Sequence, residues 1–124
     1  MPIWSIKIVP STSQIADEPV AFVPDLPGAK PGDSLKVLAG DLVSWNNTTN
    51  NPLQPWPTDQ NFVKLTPAQV GPSGSPNYLA DVIPANGSSR PSWTAAPLTV
   101  FPNDNTIHYC CNEYPKVHGT IVIT

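Results

Sequence analysis

The sequence predicts an all-β sandwich formed by one domain, and three observations carry that expectation. Seventeen prolines and seven glycines fall in 124 residues, and a proline inside a helix costs about 3 kcal/mol through its missing N–H and its ring clash. The apolar runs are short and are bounded by Pro, Gly, Asn and Asp, the residues that supply preset or positive φ at turns. Within several runs apolar and polar residues alternate, the period of a strand with one buried face.

Strands are expected over residues 3–9, 19–23, 34–38, 41–46, 61–65, 78–83, 88–93, 106–111 and 119–124. About eight or nine strands at this spacing fit a two-sheet sandwich. In the first run Trp4, Ile6 and Ile8 share a face; in the fourth, Val43 and Trp45 do. In the run 106–111 the residues Ile107, Tyr109 and Cys111 form one face, with His108 and Cys110 on the other. Ile121 and Ile123 match each other in the last strand, and Phe62 and Leu79 complete the expected core. A single helical turn is expected at 66–70, with Thr66 as N-cap and Pro67 at the first helical position. The stretch GPSGSPN at 71–77 reads as a loop.

Charged residues make up 12% of the chain and the net charge is −3. No basic stripe exists to neutralise phosphates, so nucleic acid is not an expected partner. No apolar run approaches the ~20 residues of a membrane span, so no membrane insertion is expected. The opening Met1-Pro2-Ile3-Trp4 lacks the basic start and apolar stretch of a secretory signal. At 124 residues the chain is the size of one domain.

Two segments resemble the signature regions of the cupredoxins, the blue-copper proteins. GDLVSWNN, residues 40–47, has the form Gly-Asp-x-Val-x-Trp-x-Asn. YCCNEYPKVHGTIVI, residues 109–123, is similar to Tyr-x-Cys-x-x-His-Pro-x-Met-x-Gly-x-Val. IPANGSSR, residues 83–90, resembles the turn that precedes the final hairpin in such proteins. The resemblance implies a Greek-key β-sandwich of about eight strands over residues 1–124. It also implies a copper ion held by one cysteine, two histidines and a methionine, for electron transfer. A soft thiolate and two imidazoles in a trigonal plane, with a weak axial thioether, suit both oxidation states of copper. The expected location is the bacterial periplasm, or outside the cell, if a signal has been removed, and the cytoplasm otherwise.

Carried over residue by residue, the motif puts Cys111 at the cysteine position, Tyr114 at the loop histidine and Val117 at the methionine. The first histidine falls at or near Leu53, with Gln54 beside it. The expectation is therefore a cupredoxin-like domain without the type 1 copper site, binding no cofactor and serving as a binding or structural module for a protein partner. The alternative is an electron-transfer copper protein with an atypical ligand set, in which Cys111, His118 and Glu113, with the Tyr114 phenol, hold the metal.

The two cysteines are adjacent, and a vicinal disulfide would strain the middle of a strand, so two free thiols are expected. No catalytic residue is expected. His108 and His118 belong to a strand and a turn rather than to a nucleophile, and Asp25, Asp33, Asp59 and Asp104 sit in turns where Asp hydrogen-bonds locally. Trp56, between two prolines, is expected to meet Leu53 and Tyr114 at one end of the sandwich, as an apolar plug or as an exposed binding patch.

Overall fold

The computed structural model describes residues 3–12, 15–90 and 92–124. In chain order the elements are β1 (Ile3–Pro10), β2 (Val20–Pro24), β3 (Leu35–Val37), β4 (Leu42–Asn47), β5 (Pro55–Thr58), the helical turn α1 (Pro67–Val70), β6 (Trp93–Thr94), β7 (Thr106–Cys111) and β8 (His118–Ile123). They form two four-stranded sheets, β2-β1-β4-β6 and β3-β8-β7-β5. β1 runs parallel to β4 and β3 parallel to β8, while the other neighbours are antiparallel.

Alternation decides what lies between the sheets. Ile6 and Ile8 from β1 meet Val43 and Trp45 from β4 on one side, and Ile107, Tyr109 and Ile121 come from the other. Each is almost fully buried, and burying a side chain of this size stabilises by about 1.5–3 kcal/mol. The Tyr109 ring sits at the centre, edge-on to Phe22 at 4.8 Å and to Trp45 at 5.5 Å between centroids. Burial pushes its phenol far above the usual tyrosine range.

The strands expected at 106–111 and near residues 3–9, 19–23, 34–38, 41–46 and 119–124 are present, within about two residues at each end. Three differ. Residues 61–65 form no strand: Asp59 accepts the backbone N–H groups of Asn61 and Val63, and Phe62 takes a left-handed φ of 61°. The chain therefore turns, and only Lys64 bridges back to Thr58. Phe62 accordingly leaves the expected core and stacks on His118 at 4.0 Å, on the outer face of the second sheet, with His108 edge-on at 5.2 Å. Residues 78–83 contribute a single bridge, Leu53 to Ile83, and 88–93 a bridge at Ser88 before the short β6; Pro91 lies outside the described residues.

The strand missed from the sequence is β5, Pro-Trp-Pro-Thr. It forms at an edge of the sheet, paired only with β7. The Pro57 carbonyl accepts Leu65 N–H on the side away from β7, so the missing proline N–H also faces away from the ladder. The helical turn has the expected cap. Thr66 accepts the Gln69 N–H, and the Gln69 side chain accepts the Thr66 N–H in return.

Gly119 lies opposite Tyr109 in the β7–β8 ladder, with the phenol ring lying over it. A Cβ there would stand 2.3 Å from Tyr109 Cζ. Gly119→Ala is expected to cost about 1–3 kcal/mol by overpacking, read as a lower urea midpoint with an unchanged slope. Gly28→Ala and Gly32→Ala would meet no atom within 4 Å, so their cost is the strain of a side chain at φ of 78° and 83°, about 1–2 kcal/mol, rather than overpacking.

Candidate functional site

β4 ends and β5 begins where β7 ends and β8 begins, so the loops 48–54 and 112–117 converge at one end of the sandwich. The loop around Ile83 joins them through the paired bonds Leu53 N–H to Ile83 O, 3.1 Å, and Ile83 N–H to Leu53 O, 2.7 Å. The motif residues meet here. Cys111 closes β7 and faces the core with Tyr109; the loop turns back on it, since Tyr114 N–H donates to Cys111 O and Cys111 N–H to Val117 O. Leu53 and Val117 are 1% and 5% exposed and belong to the same apolar cluster as Cys111, while Tyr114 packs half-buried against that cluster.

Polar bonds stitch the loops. Gln54 N–H donates to Glu113 Oε1 at 2.9 Å, and Gln54 O accepts the Asn112 N–H at 2.8 Å. The Gln54 amide donates to Ala80 O and to the Tyr78 hydroxyl, and accepts from the Asn112 amide. Asn47, fully buried at the end of β4, donates to Asn51 O at 2.7 Å and accepts both the N–H and the hydroxyl of Thr49. Asn47 stood in the Gly-Asp-x-Val-x-Trp-x-Asn motif, but the sequence gives no sign that Gln54 and Asn112 would tie loops rather than face water.

The Cys111 thiol donates to Glu113 Oε1 at 3.5 Å. Burial pushes that thiol up to about 12; loop N–H groups of Tyr114 and Glu113 pull it down and the Glu113 carboxylate pushes it up. Cys110 points to the other face, in line with Trp56 and His118 across the sheet. Burial raises it to about 11, with Lys64 opposing. Both cysteines are free and buried.

Of the alternative ligand set, Cys111 and Glu113 come together, but His118 does not join them: it shares the outer face with Cys110 and stacks on Phe62. Trp56 is also on that outer face, where its indole N–H donates to Leu65 O and Lys64 Nζ lies 5.7 Å over its ring. Trp56, opposite Cys110 in the β5–β7 ladder, also packs partly buried against the apolar cluster that contains Leu53, as Tyr114 does. Among the described residues, no group of three or more His, Cys, Asp or Glu is placed to hold a metal ion. No helix among them is long and apolar enough to cross a membrane.

No family model and no curated protein matches the sequence. Solved structures do. A purple cupredoxin from Nitrosopumilus maritimus superposes with a TM-score of 0.61 at 15% identity, covering 97% of this chain and 98% of that one. The fold is cupredoxin-like. The McoA multicopper oxidase from the hyperthermophile Aquifex aeolicus gives a TM-score of 0.53 at 14% identity, and another multicopper oxidase 0.51 at 20%. This cupredoxin-like chain is covered almost whole in both but spans only 26% and 41% of those oxidases. The side chains presented at its four motif positions are one thiol, one phenol and two aliphatic groups, a donor set that does not fit a trigonal thiolate–imidazole copper centre.

Gln54→Ala removes three side-chain bonds at the loop junction and is expected to cost about 1–3 kcal/mol, with faster reaction of Cys111 with a thiol reagent in the folded protein. The thiols also set an alkaline limit. Unfolded cysteines ionise near 9.0, whereas the folded ones keep their protons to about 11 and 12. Their contribution is fully present below pH 9.0 and is lost as pH rises toward about 12, because the unfolded state releases protons that the folded state retains. A Cys110→Ala, Cys111→Ala variant should show a shallower fall in urea midpoint over that window.

Proposed function

We propose that this chain is a cupredoxin-like domain whose type 1 copper site has been replaced by an apolar, hydrogen-bonded plug, and that it acts as a non-enzymatic binding or structural module. The observation that carries the reading is the burial of Leu53 and Val117 in the cluster that contains Cys111. Two positions that carry metal ligands in the resembling motif instead hold aliphatic side chains, with hydrogen bonds from Gln54 and Asn112 linking the loops around them. A ligand thiol must be deprotonated, and a thiol surrounded by apolar groups and donating to a carboxylate resists that step. A sandwich whose loop end is stitched by hydrogen bonds supports the module reading, and its partner on this reading is a protein.

The second reading, an atypical electron-transfer copper site, draws on the Cys111–Glu113 pair. Titration of the purified protein with Cu(II) separates the two. The protein is expected to stay colourless; an intense visible band abolished by Cys111→Ser would overturn the proposal. Leu53→His, Tyr114→His and Val117→Met together restore two imidazoles and a thioether around Cys111. That variant, if folded by circular dichroism, is expected to colour with Cu(II) where the parent does not.

A further inference from the structure

A hollow of about 590 Å³ opens in the second sheet at the end remote from Cys111. Because β5 and β7 are antiparallel, the turn that follows β5 and the turn that precedes β7 lie side by side there. The first lines the hollow with Asp59, Gln60 and Asn61, and the second with Phe101, Asn103 and Asp104. Its size falls within the roughly 300–1,000 Å³ of small-molecule sites.

The backbones of the two turns are held in place before any ligand arrives. Asp59 Oδ1 accepts the N–H groups of Asn61 at 2.8 Å and Val63 at 3.0 Å, and Asp104 Oδ1 accepts that of Thr106 at 3.0 Å. Among the described residues no hydrogen bond falls on either Oδ2, nor on the side-chain amides of Gln60, Asn61 and Asn103. Phe101 packs half-buried against the core and is anchored by its N–H to Leu98 O and by its own carbonyl, which accepts the Asp104 N–H.

These groups select a ligand chemistry. No lining residue is basic, so the hollow does not favour phosphates or carboxylates. Two carboxylates accept only, but the three carboxamides each donate as well as accept. An ammonium, which has donors alone, leaves the carboxamide donors unused. A sugar hydroxyl uses both: it donates to a carboxylate in a charge-assisted bond and accepts from an amide. The exposed part of the Phe101 ring offers an apolar surface to the C–H face of a pyranose. We infer that the hollow between the 59–61 and 101–104 turns is a binding site for a neutral saccharide of one or two rings, independent of the loop end that carries Cys111.

The test is an amide chemical-shift titration of the whole chain with cellobiose, maltose and N,N′-diacetylchitobiose, with putrescine as the cationic control. At least one saccharide should give saturable shifts confined to residues 59–61 and 101–104. Gln60→Ala and Asn103→Ala, both exposed and outside the turn bonds, should each weaken that binding about tenfold, the loss of one or two hydrogen bonds. Absence of localised shifts with all three sugars would overturn the site. Unchanged affinity in both variants would do the same, as would a response of these residues to putrescine alone that fades with added salt. The copper titration reads the opposite end of the sandwich, so the two proposals fail separately.

Discussion

Three loops that arrive from different strands must be held together at one end of this sandwich, and Gln54 is the residue through which they are. Its main chain bonds to Glu113 and Asn112 and its side chain to Ala80, Tyr78 and Asn112. Each such bond contributes only about 0.5–1.5 kcal/mol net. Left unmade in this setting, the same buried groups would cost more, since Gln54 is 6% exposed. A coordinated ion can fasten loops through its ligands; here amides and one carboxylate fasten them, and the Asn47 amide at the end of β4 adds bonds to the carbonyls of Ile83 and Pro84. The position of Cys111 depends on this, because the loop that turns back over it is the loop that Gln54 holds.

Much of the fold could be read from the sequence because apolar residues recur at every second position along most of its main strands. In Thr106–Cys111 the inward set Ile107, Tyr109 and Cys111 follows from the two-residue spacing even though Cys110 is buried too, and the cross-strand partner Gly119 is the residue that leaves room for the Tyr109 ring. Val43 and Trp45 in β4 behave in the same way. The errors arose where local chemistry overrides pattern. Asp59 spends its carboxylate on two backbone N–H groups and turns the chain at a place where Phe62, Val63 and Leu65 look like a strand. Pro55 and Pro57 look like strand breakers, yet at an edge their missing donors face no partner strand.

The candidate site was legible in part for the same reasons. Spacing along one strand and one short loop placed Cys111, Tyr114 and Val117 around a common point, and the structure brings Cys111 and Val117 into one cluster with Tyr114 at its margin. What spacing alone left unclear is which way a residue points once the chain enters a strand. Trp56 and His118 lie close in sequence to the site but on the other face of the strands, where Lys64 sits over the Trp56 ring and Phe62 stacks on His118. The hydrogen-bonding roles of Gln54 and Asn112 depend on long-range contacts, separated by 58 residues, that no local pattern encodes.

The four edge strands are β2, β6, β3 and β5, with five, two, three and four residues. β2 ends in Pro24 and β5 contains two prolines, so the longer two present an interrupted row of donors. Lys64 closes part of the β5 edge by bridging to Thr58. A strand added from a second copy would therefore find few consecutive partners anywhere on the perimeter. In a chain with 12% charged residues, this backbone geometry itself works against edge-to-edge pairing of copies.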